Sequence, residues 1–141
     1  MYTVACNNIS VLRELLRKLK SSNEPTLYKK RLRGEAPAKG VTSLGITGKL
    51  TTLVAAMGFA DSEFVSLLLE HGADPYEHDV AGNDGLMLAS IFGRTDNVKF
   101  WLKRFPDWDL KRGNKVVGGT PLGSAVYMGP HRLELVKVLL E

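Results

Sequence analysis

Three stretches of this sequence share one pattern at a nearly constant interval, and this repetition constrains the fold more than any other feature. In each stretch a leucine is followed three positions later by alanine, and a second apolar run comes further on. The leading leucines are Leu53, Leu86 and Leu122, so the interval is 33 residues between the first two and 36 between the next two. A fixed interval of this length is typical of chains whose units bury their apolar faces against one another, so we expect a stack of similar units.

Each unit is predicted to form two short helices. Leu86 and Ala89 are three positions apart and therefore lie on one helical face, and the small alanine permits a neighbouring helix to approach closely. The second run has apolar residues at i, i+3 and i+4, as in Val98, Trp101 and Leu102. This is the apolar stripe of an amphipathic helix, and it assigns Trp101 to the core.

The ends of these helices are also marked in the sequence. Pro121 suits a first helical turn, where no N–H is needed, and Thr120 before it can cap the helix. Gly72 is predicted to take the left-handed conformation that ends a helix, and Pro75 prevents continuation. In the second unit the segment 105–108 (Phe-Pro-Asp-Trp) replaces that glycine. We expect its proline to stop the helix and its tryptophan to cover the exposed end.

At these residues the chain resembles the ankyrin-repeat family. The matching residues are Thr120-Pro121-Leu122-x-x-Ala125, Leu68-Leu69-x-x-Gly72-Ala73-Asp74-Pro75 and Gly82-Asn83-Asp84-Gly85-Leu86-x-x-Ala89. The resemblance covers residues 48–141 and implies an all-α ankyrin-repeat solenoid of stacked helix-turn-helix units with hairpin-like loops. The chain departs from the family where a histidine usually follows the leucine, since Val54, Met87 and Gly123 stand there. That departure implies looser links between neighbouring loops.

The expected organisation has five parts. Residues 1–20 are read as a degenerate N-terminal cap repeat and residues 21–47 as a basic inserted loop. The three repeats are placed at 48–80, 81–116 and 117–141, the last of them truncated. The cap repeat is predicted from an apolar helical stripe formed by Val11, Leu12, Leu15, Leu16 and Leu19.

The positive charge of the chain is concentrated in one segment. The net charge is +4, but residues 13–39 hold nine Lys/Arg against three Glu, which gives +6, and residues 40–141 give −2. The densest part is a basic strip made of Lys29, Lys30, Arg31 and Arg33. Such a strip is typical of a nuclear-import signal or of a surface for nucleic acid or an acidic partner, and equally of a solvated charged loop. We favour the solvated loop over nucleic-acid binding, because only Tyr28 could stack on a base.

No constellation in the sequence supports catalysis, a metal ion or a cofactor. The three histidines, His71, His78 and His131, fall at unrelated positions of different repeats, which argues against a shared metal site. The segment 45–51 (Gly-Ile-Thr-Gly-Lys-Leu-Thr) lacks the spacing of a phosphate-binding loop. We therefore expect a non-enzymatic protein.

The single cysteine indicates the cellular compartment in which the protein is expected. Cys6 cannot form an internal disulfide, which favours a reducing environment, so we expect the cytoplasm, with the nucleus as the alternative. No apolar run approaches the roughly 20 residues of a membrane span, and no secretory signal is visible.

The resemblance implies binding of a protein partner through loop tips and the concave face of the first helices. The sequence does not identify that partner. The loop tips are residues 76–83 and 110–119, and the concave helix positions include Val54, Met57, Ser90 and Gly123. The predicted contact residues are Tyr76, Glu77, His78, Asp79, Asn83, Met87, Trp108, Lys111, Arg112, Asn114, Lys115 and Tyr127.

Two alternatives stay open, and one of them is binding of nucleic acid or of an acidic partner through the basic loop. The chain could be the ankyrin fragment of a larger multidomain protein, including an enzyme, because the third repeat stops at Glu141 without a polar capping helix. An uncapped apolar end would also allow self-association. A longer reading of the coding sequence would distinguish a fragment from a complete chain.

Overall fold

The computed structural model describes residues 7–21, 36–37 and 49–141, and within these ranges it contains seven α-helices and one pair of short strands. The helices are α1 (Ile9–Ser21), α2 (Thr52–Phe59), α3 (Ser62–Glu70), α4 (Gly85–Phe92), α5 (Thr95–Arg104), α6 (Pro121–Tyr127) and α7 (Leu133–Leu140). The strands are β1 (Ala36–Pro37) and β2 (Lys49–Leu50), and a 3-10 helix spans Pro130–Arg132. The predicted helix pairs are therefore confirmed as α2–α3, α4–α5 and α6–α7.

The first helix of each pair begins at an equivalent cap. The side chains of Thr51, Asp84 and Thr120 each accept a hydrogen bond from the backbone N–H three residues later, at 3.4, 2.8 and 3.1 Å respectively. A side-chain oxygen at this position satisfies one of the N–H groups that the first helical turn leaves unpaired. The caps therefore fix the same register in all three pairs.

The two predicted helix ends differ as the sequence indicates. Gly72 has φ +86°, its N–H donates to the Leu69 carbonyl at 3.0 Å, and the Ala73 N–H donates to the Leu68 carbonyl at 3.0 Å. This pattern satisfies two carbonyls that the helix end would otherwise leave unpaired. Phe105 ends α5 with φ −132°, outside the left-handed region, immediately before the proline.

One apolar core runs through all three helix pairs. Ala56, Ala89 and Ala125 are fully buried, and so is Trp101, which confirms the predicted helix contacts. The helices α2 and α4 are apolar around most of their circumference and lie inside the stack, whereas α3, α5 and α7 carry polar residues on their outer faces. Burial of the inner helices is the main stabilising term in such a stack.

The segment before the repeats differs in part from the prediction. Leu12 and Leu16 of α1 are buried in the same core, but Val11 and Leu15 are exposed, so two of the five residues of the predicted stripe face outward. In addition, β1 pairs with β2 in antiparallel register, Ala36 with Leu50, a pairing that the loop prediction did not include. Residues 22–35 and 38–48, which hold the rest of the predicted loop and its basic strip, lie outside the described residues, as does Cys6.

Candidate functional site

The predicted loop-tip residues divide into a buried group and an exposed group. Asp79, Asn83 and Asn114 belong to the buried group. The Asp79 carboxylate accepts hydrogen bonds from the Asn83 backbone N–H at 2.8 Å and from its Nδ2 at 2.9 Å, and Asn83 Oδ1 accepts from Asn114 Nδ2 at 3.0 Å. These three residues hold two successive loops together, so their side chains are not available on the surface.

A backbone hydrogen bond strengthens the same junction. The Lys115 N–H donates to the Ala81 carbonyl at 2.7 Å, and Asn114 Oδ1 accepts from the N–H groups of Val116 and Val117 at 3.2 and 2.9 Å. The resemblance implied looser loops because the usual histidine is missing. The structure instead joins these two loops through an asparagine pair.

Several predicted concave positions are also buried. Met87, Val54, Met57 and Ser90 lie inside the stack, because α2 and α4 pack directly on each other. The Met57 side chain, for example, packs directly against Gly85, because a Cβ added at Gly85 would lie only 2.7 Å from the Met57 Cγ. Of the predicted concave positions, Gly123 and Tyr127 on α6 are the exposed ones.

An aromatic cluster lies where the chain leaves α3 and α5. The ring of Tyr76, which is 71% exposed, stacks on Trp108 with centroids 5.2 Å apart and planes 12° apart. Trp108 in turn meets Trp101 edge-on at 5.1 Å and Phe105 at 5.6 Å. Trp108 therefore covers the end of α5, as predicted. Together with nearby Asp and Arg residues, Tyr76, Phe105 and Trp108 line a cavity of about 380 Å³.

Arg112 borders this cavity and is engaged with the fold. Its Nη2 lies 3.3 Å from a carboxylate oxygen of Asp84 and 3.2 Å from the Gly82 carbonyl oxygen. Asp84 is buried and caps α4, so Arg112 balances a buried charge. Glu77, His78, Lys111 and Lys115 lie on the surface of the two loops, with Glu77 only partly exposed.

A second cavity, of about 370 Å³, opens between α4, α6 and the loop 110–118, and we call it the notch. It is lined by Ile91, Asn114, Val117, Gly119, Gly123, Ser124, Tyr127 and Met128. Tyr127 is 78% exposed and Val117 is 65% exposed. The sequence analysis named Tyr127, Asn114 and Gly123 here, included Val117 only as part of the loop tip 110–119, and missed Met128. The signal for Val117 was the pair of consecutive valines, 116 and 117, that follows five residues without an apolar side chain, 111–115.

Charge is absent from the first helices and present on the loops. The sequences 52–59, 85–92 and 121–127 contain no Asp, Glu, Lys, Arg or His, whereas residues 110–118 contain Lys111, Arg112 and Lys115 and no acid. The first helices therefore present no charged side chain, whereas the segment between α5 and α6 carries Asp107 and Asp109 as well as three cationic residues.

The described residues hold neither a cluster of metal-ligating side chains nor a membrane-spanning helix. Within residues 7–21, 36–37 and 49–141 no three His, Cys, Asp or Glu side chains are grouped so that they could hold a metal ion. In the same ranges no helix has the length and apolar character needed to cross a membrane.

Comparison with known proteins identifies the repeats. The family described as ankyrin repeats (3 copies) matches residues 52–141, which is the region of α2 to α7. Comparison with curated proteins gives no match.

Proposed function

Because this chain belongs to the ankyrin-repeat family, whose repeats generally mediate protein–protein interaction, we propose that it is a non-enzymatic binding module for another protein. Its partner would contact the loop tips and the exposed part of the concave face.

The observation that carries this proposal is the exposure of large side chains on a well-anchored surface. Tyr127 and Val117 project from α6 and from the loop 110–118, and Val116 is exposed beside them. The loop itself is held by the buried Asn83–Asn114 hydrogen bond. Exposed aromatic and aliphatic residues on a rigid support lose little conformational entropy on binding, which is why they often supply much of the affinity at interfaces.

We assign the contact residues accordingly. The surface consists of two neighbouring groups, one on the loop 76–83 with the aromatic cluster and one on the loop 110–118 with α6. The proposed contact residues are Tyr76, Glu77, His78, Trp108, Lys111, Arg112, Lys115 and Tyr127. Buried Asp79, Asn83, Met87 and Asn114 are assigned to the support of this surface.

Site-specific photocrosslinking in cells tests the proposal. A photoreactive amino acid at Tyr127 or Val117 should give covalent adducts with other proteins, and the same amino acid at Lys103, on the outer helix α5, should give few. Equal adducts from Lys103, or none from either Tyr127 or Val117, would contradict binding through this surface.

The compartment is part of the proposal. A lone thiol suits a reducing environment, so the interaction is assigned to the cytoplasm, with the nucleus as the alternative raised by the basic strip at 29–33. Imaging of a fluorescent fusion, with and without substitution of that strip by alanine, distinguishes the two compartments.

A further inference from the structure

Another cavity, of about 430 Å³, lies between α1 and α3, and we call it the α1–α3 pocket. Its described lining consists of Arg13, Arg17, Lys20, Ser21, Leu67 and His71. The three basic residues of α1 follow one another at intervals of four and three positions, which places them on one face of the helix. Leu67 is buried and supplies an apolar wall, and none of the described lining residues is acidic.

The two arginines of the α1–α3 pocket keep N–H donors that the fold does not use. A guanidinium has five such donors. Arg17 gives two of them to Glu14, from Nε and Nη2, both at 2.9 Å, and Arg13 gives one to Glu63, from Nη2 at 3.0 Å. The side chains of both ion pairs are at least 48% exposed, and exposed pairs are weak. An anion in the pocket is therefore able to share these arginines with the two glutamates.

The positive charge beside the pocket exceeds the negative charge. The helix α1 contains four basic residues and one acid, Glu14, and α3 contains two acids, Glu63 and Glu70. Even with all three acids counted, one positive charge remains. Among the described residues Lys20 has no ion-pair partner, although it lines the pocket. The unbalanced lysine and the free arginine donors thus favour an anionic ligand.

The chemistry of the lining favours a phosphate group over a carboxylate. Two guanidinium groups, one ammonium group and the Ser21 hydroxyl line a single cavity within two to three turns of α1. A phosphate monoester offers three acceptor oxygens and a charge near −2, whereas a carboxylate offers two oxygens and a charge of −1. Arginine forks match the oxygens of phosphate well. The apolar wall at Leu67 suits the carbon atoms of the residue that carries the phosphate.

We infer that the α1–α3 pocket binds the phosphate group of a phosphorylated side chain in a partner protein. This inference goes beyond the proposed function, because the pocket lies on α1 and α3 and not on the loop tips. Arg13, Arg17 and Lys20 hold the phosphate oxygens, and the Ser21 hydroxyl is a further donor.

A phosphopeptide tests the inference without knowledge of the natural partner. The probe is a short peptide of glycine and alanine with a central phosphoserine, titrated into the isotopically labelled full chain at about 0.15 M salt and followed by amide chemical shifts. We expect shifts at Lys20, Ser21, Leu67 and His71. The same peptide with unmodified serine should give none. The peptide with glutamate at the centre should bind about tenfold more weakly, because it has a smaller charge and fewer acceptor oxygens.

Two lysines of α1 provide a matched pair of variants. Lys20→Met removes a charge that lines the pocket and should weaken phosphopeptide binding about fivefold. Lys18→Met removes the same charge from the same helix, but this lysine lies 3.5 Å from Glu14 and does not line the pocket, so binding should stay nearly unchanged. Arg17→Met should weaken binding at least as much as Lys20→Met. All three side chains are exposed, so the thermal midpoints should stay close to that of the unmodified chain.

Three results would overturn the inference. The first is equal binding of the phosphoserine and serine peptides. The second is an equal loss of binding in Lys18→Met and Lys20→Met, which would show a response to net charge alone. The third is tighter binding of inorganic phosphate or of oligothymidylate than of the phosphopeptide, which would assign the pocket to a free anion or to nucleic acid. The photocrosslinks from Tyr127 and Val117 concern a different surface, so any of these results leaves the protein-binding proposal standing.

Discussion

The guanidinium of Arg132 occupies the space beside Gly93 in which any other residue would place its Cβ. Gly93 ends α4 in the left-handed conformation, with φ +66°, and Arg132 reaches it from the 3-10 helix that precedes α7, with its Nη2 3.5 Å from the Ile91 carbonyl oxygen. The arginine thus connects the third helix pair to the end of the second.

Gly93→Ala should destabilise the protein for two separate reasons. A left-handed backbone costs an alanine roughly 1–2 kcal/mol, and the methyl group must also displace Arg132. The matched control is Gly118→Ala, because Gly118 has the same φ of +66° and no described atom lies within 4 Å of its added Cβ. Urea unfolding should show a larger loss of free energy of unfolding for Gly93→Ala than for Gly118→Ala. Equal losses would mean that Arg132 moves away freely.

Ala89→Arg should abolish cooperative unfolding. Ala89 is fully buried between helices, so the substitution forces a long charged side chain into a packed contact. Val126→Arg, at an exposed position of α6, is the control and should leave the thermal midpoint nearly unchanged. A sharp thermal transition for Ala89→Arg near that of the unmodified chain would show that the repeat register is incorrect.

Asn114→Ala should loosen the junction between the two loops. It removes the buried hydrogen bond that Asn114 Nδ2 donates to Asn83 Oδ1, and it removes the acceptor of the Val116 and Val117 N–H groups. Loss of one such hydrogen bond costs about 0.5–1.5 kcal/mol. We expect that loss in urea unfolding and faster amide exchange at positions 116 and 117. Lys115→Ala, which leaves the backbone bond to Ala81 intact, should change neither measurement.

The carboxyl of Glu134 should titrate at a lower pH in the folded chain than in the unfolded chain. The hydrogen bond from Lys99 Nζ, at 3.0 Å, is the main reason for its lowered pKa, and the charge of Lys99 adds to it. Because the folded pKa is lowered, the stabilisation is present above the unfolded pKa and is lost as the pH falls through the folded value. Carbon-detected titration should show the Glu134 pKa rising in Lys99→Met. No change between the two chains would argue against this ion pair in solution.

The repeat register was predictable because it depends on local chemistry. Thr120 before Pro121 and the glycine at 72 each have one favoured place in a helix, at its beginning and at its end. The alanines at 56, 89 and 125 mark the contact faces because larger residues would not fit there. The sequence pattern is therefore sufficient to predict the helix pairs, their order and the residues of their core.

The candidate site was predicted only in part, because loop membership does not tell which side chains turn inward. Asp79 and Asn83 were assigned to the surface as loop residues. In the structure both are buried and are hydrogen-bonded to each other, four positions apart in the chain. The reach of Arg132 to Gly93 and the opening at Gly119 depend on how separate repeats are placed in space. A single sequence does not state those distances.

The hydrogen bond between Asn83 and Asn114 makes the repeats unequal as building blocks. An engineer who replaces the loop 110–118 by one lacking an amide at position 114 would remove the hydrogen bond that joins it to Asn83, although the new loop alone looks acceptable. Insertion of an extra repeat between the loop 76–83 and the loop 110–118 would separate the Asn114 donor from the Asn83 acceptor. The inserted repeat would then need one amide that donates to Asn83 and another that accepts from Asn114. Extension of this array therefore requires that the two asparagine positions, 31 residues apart, be transplanted together.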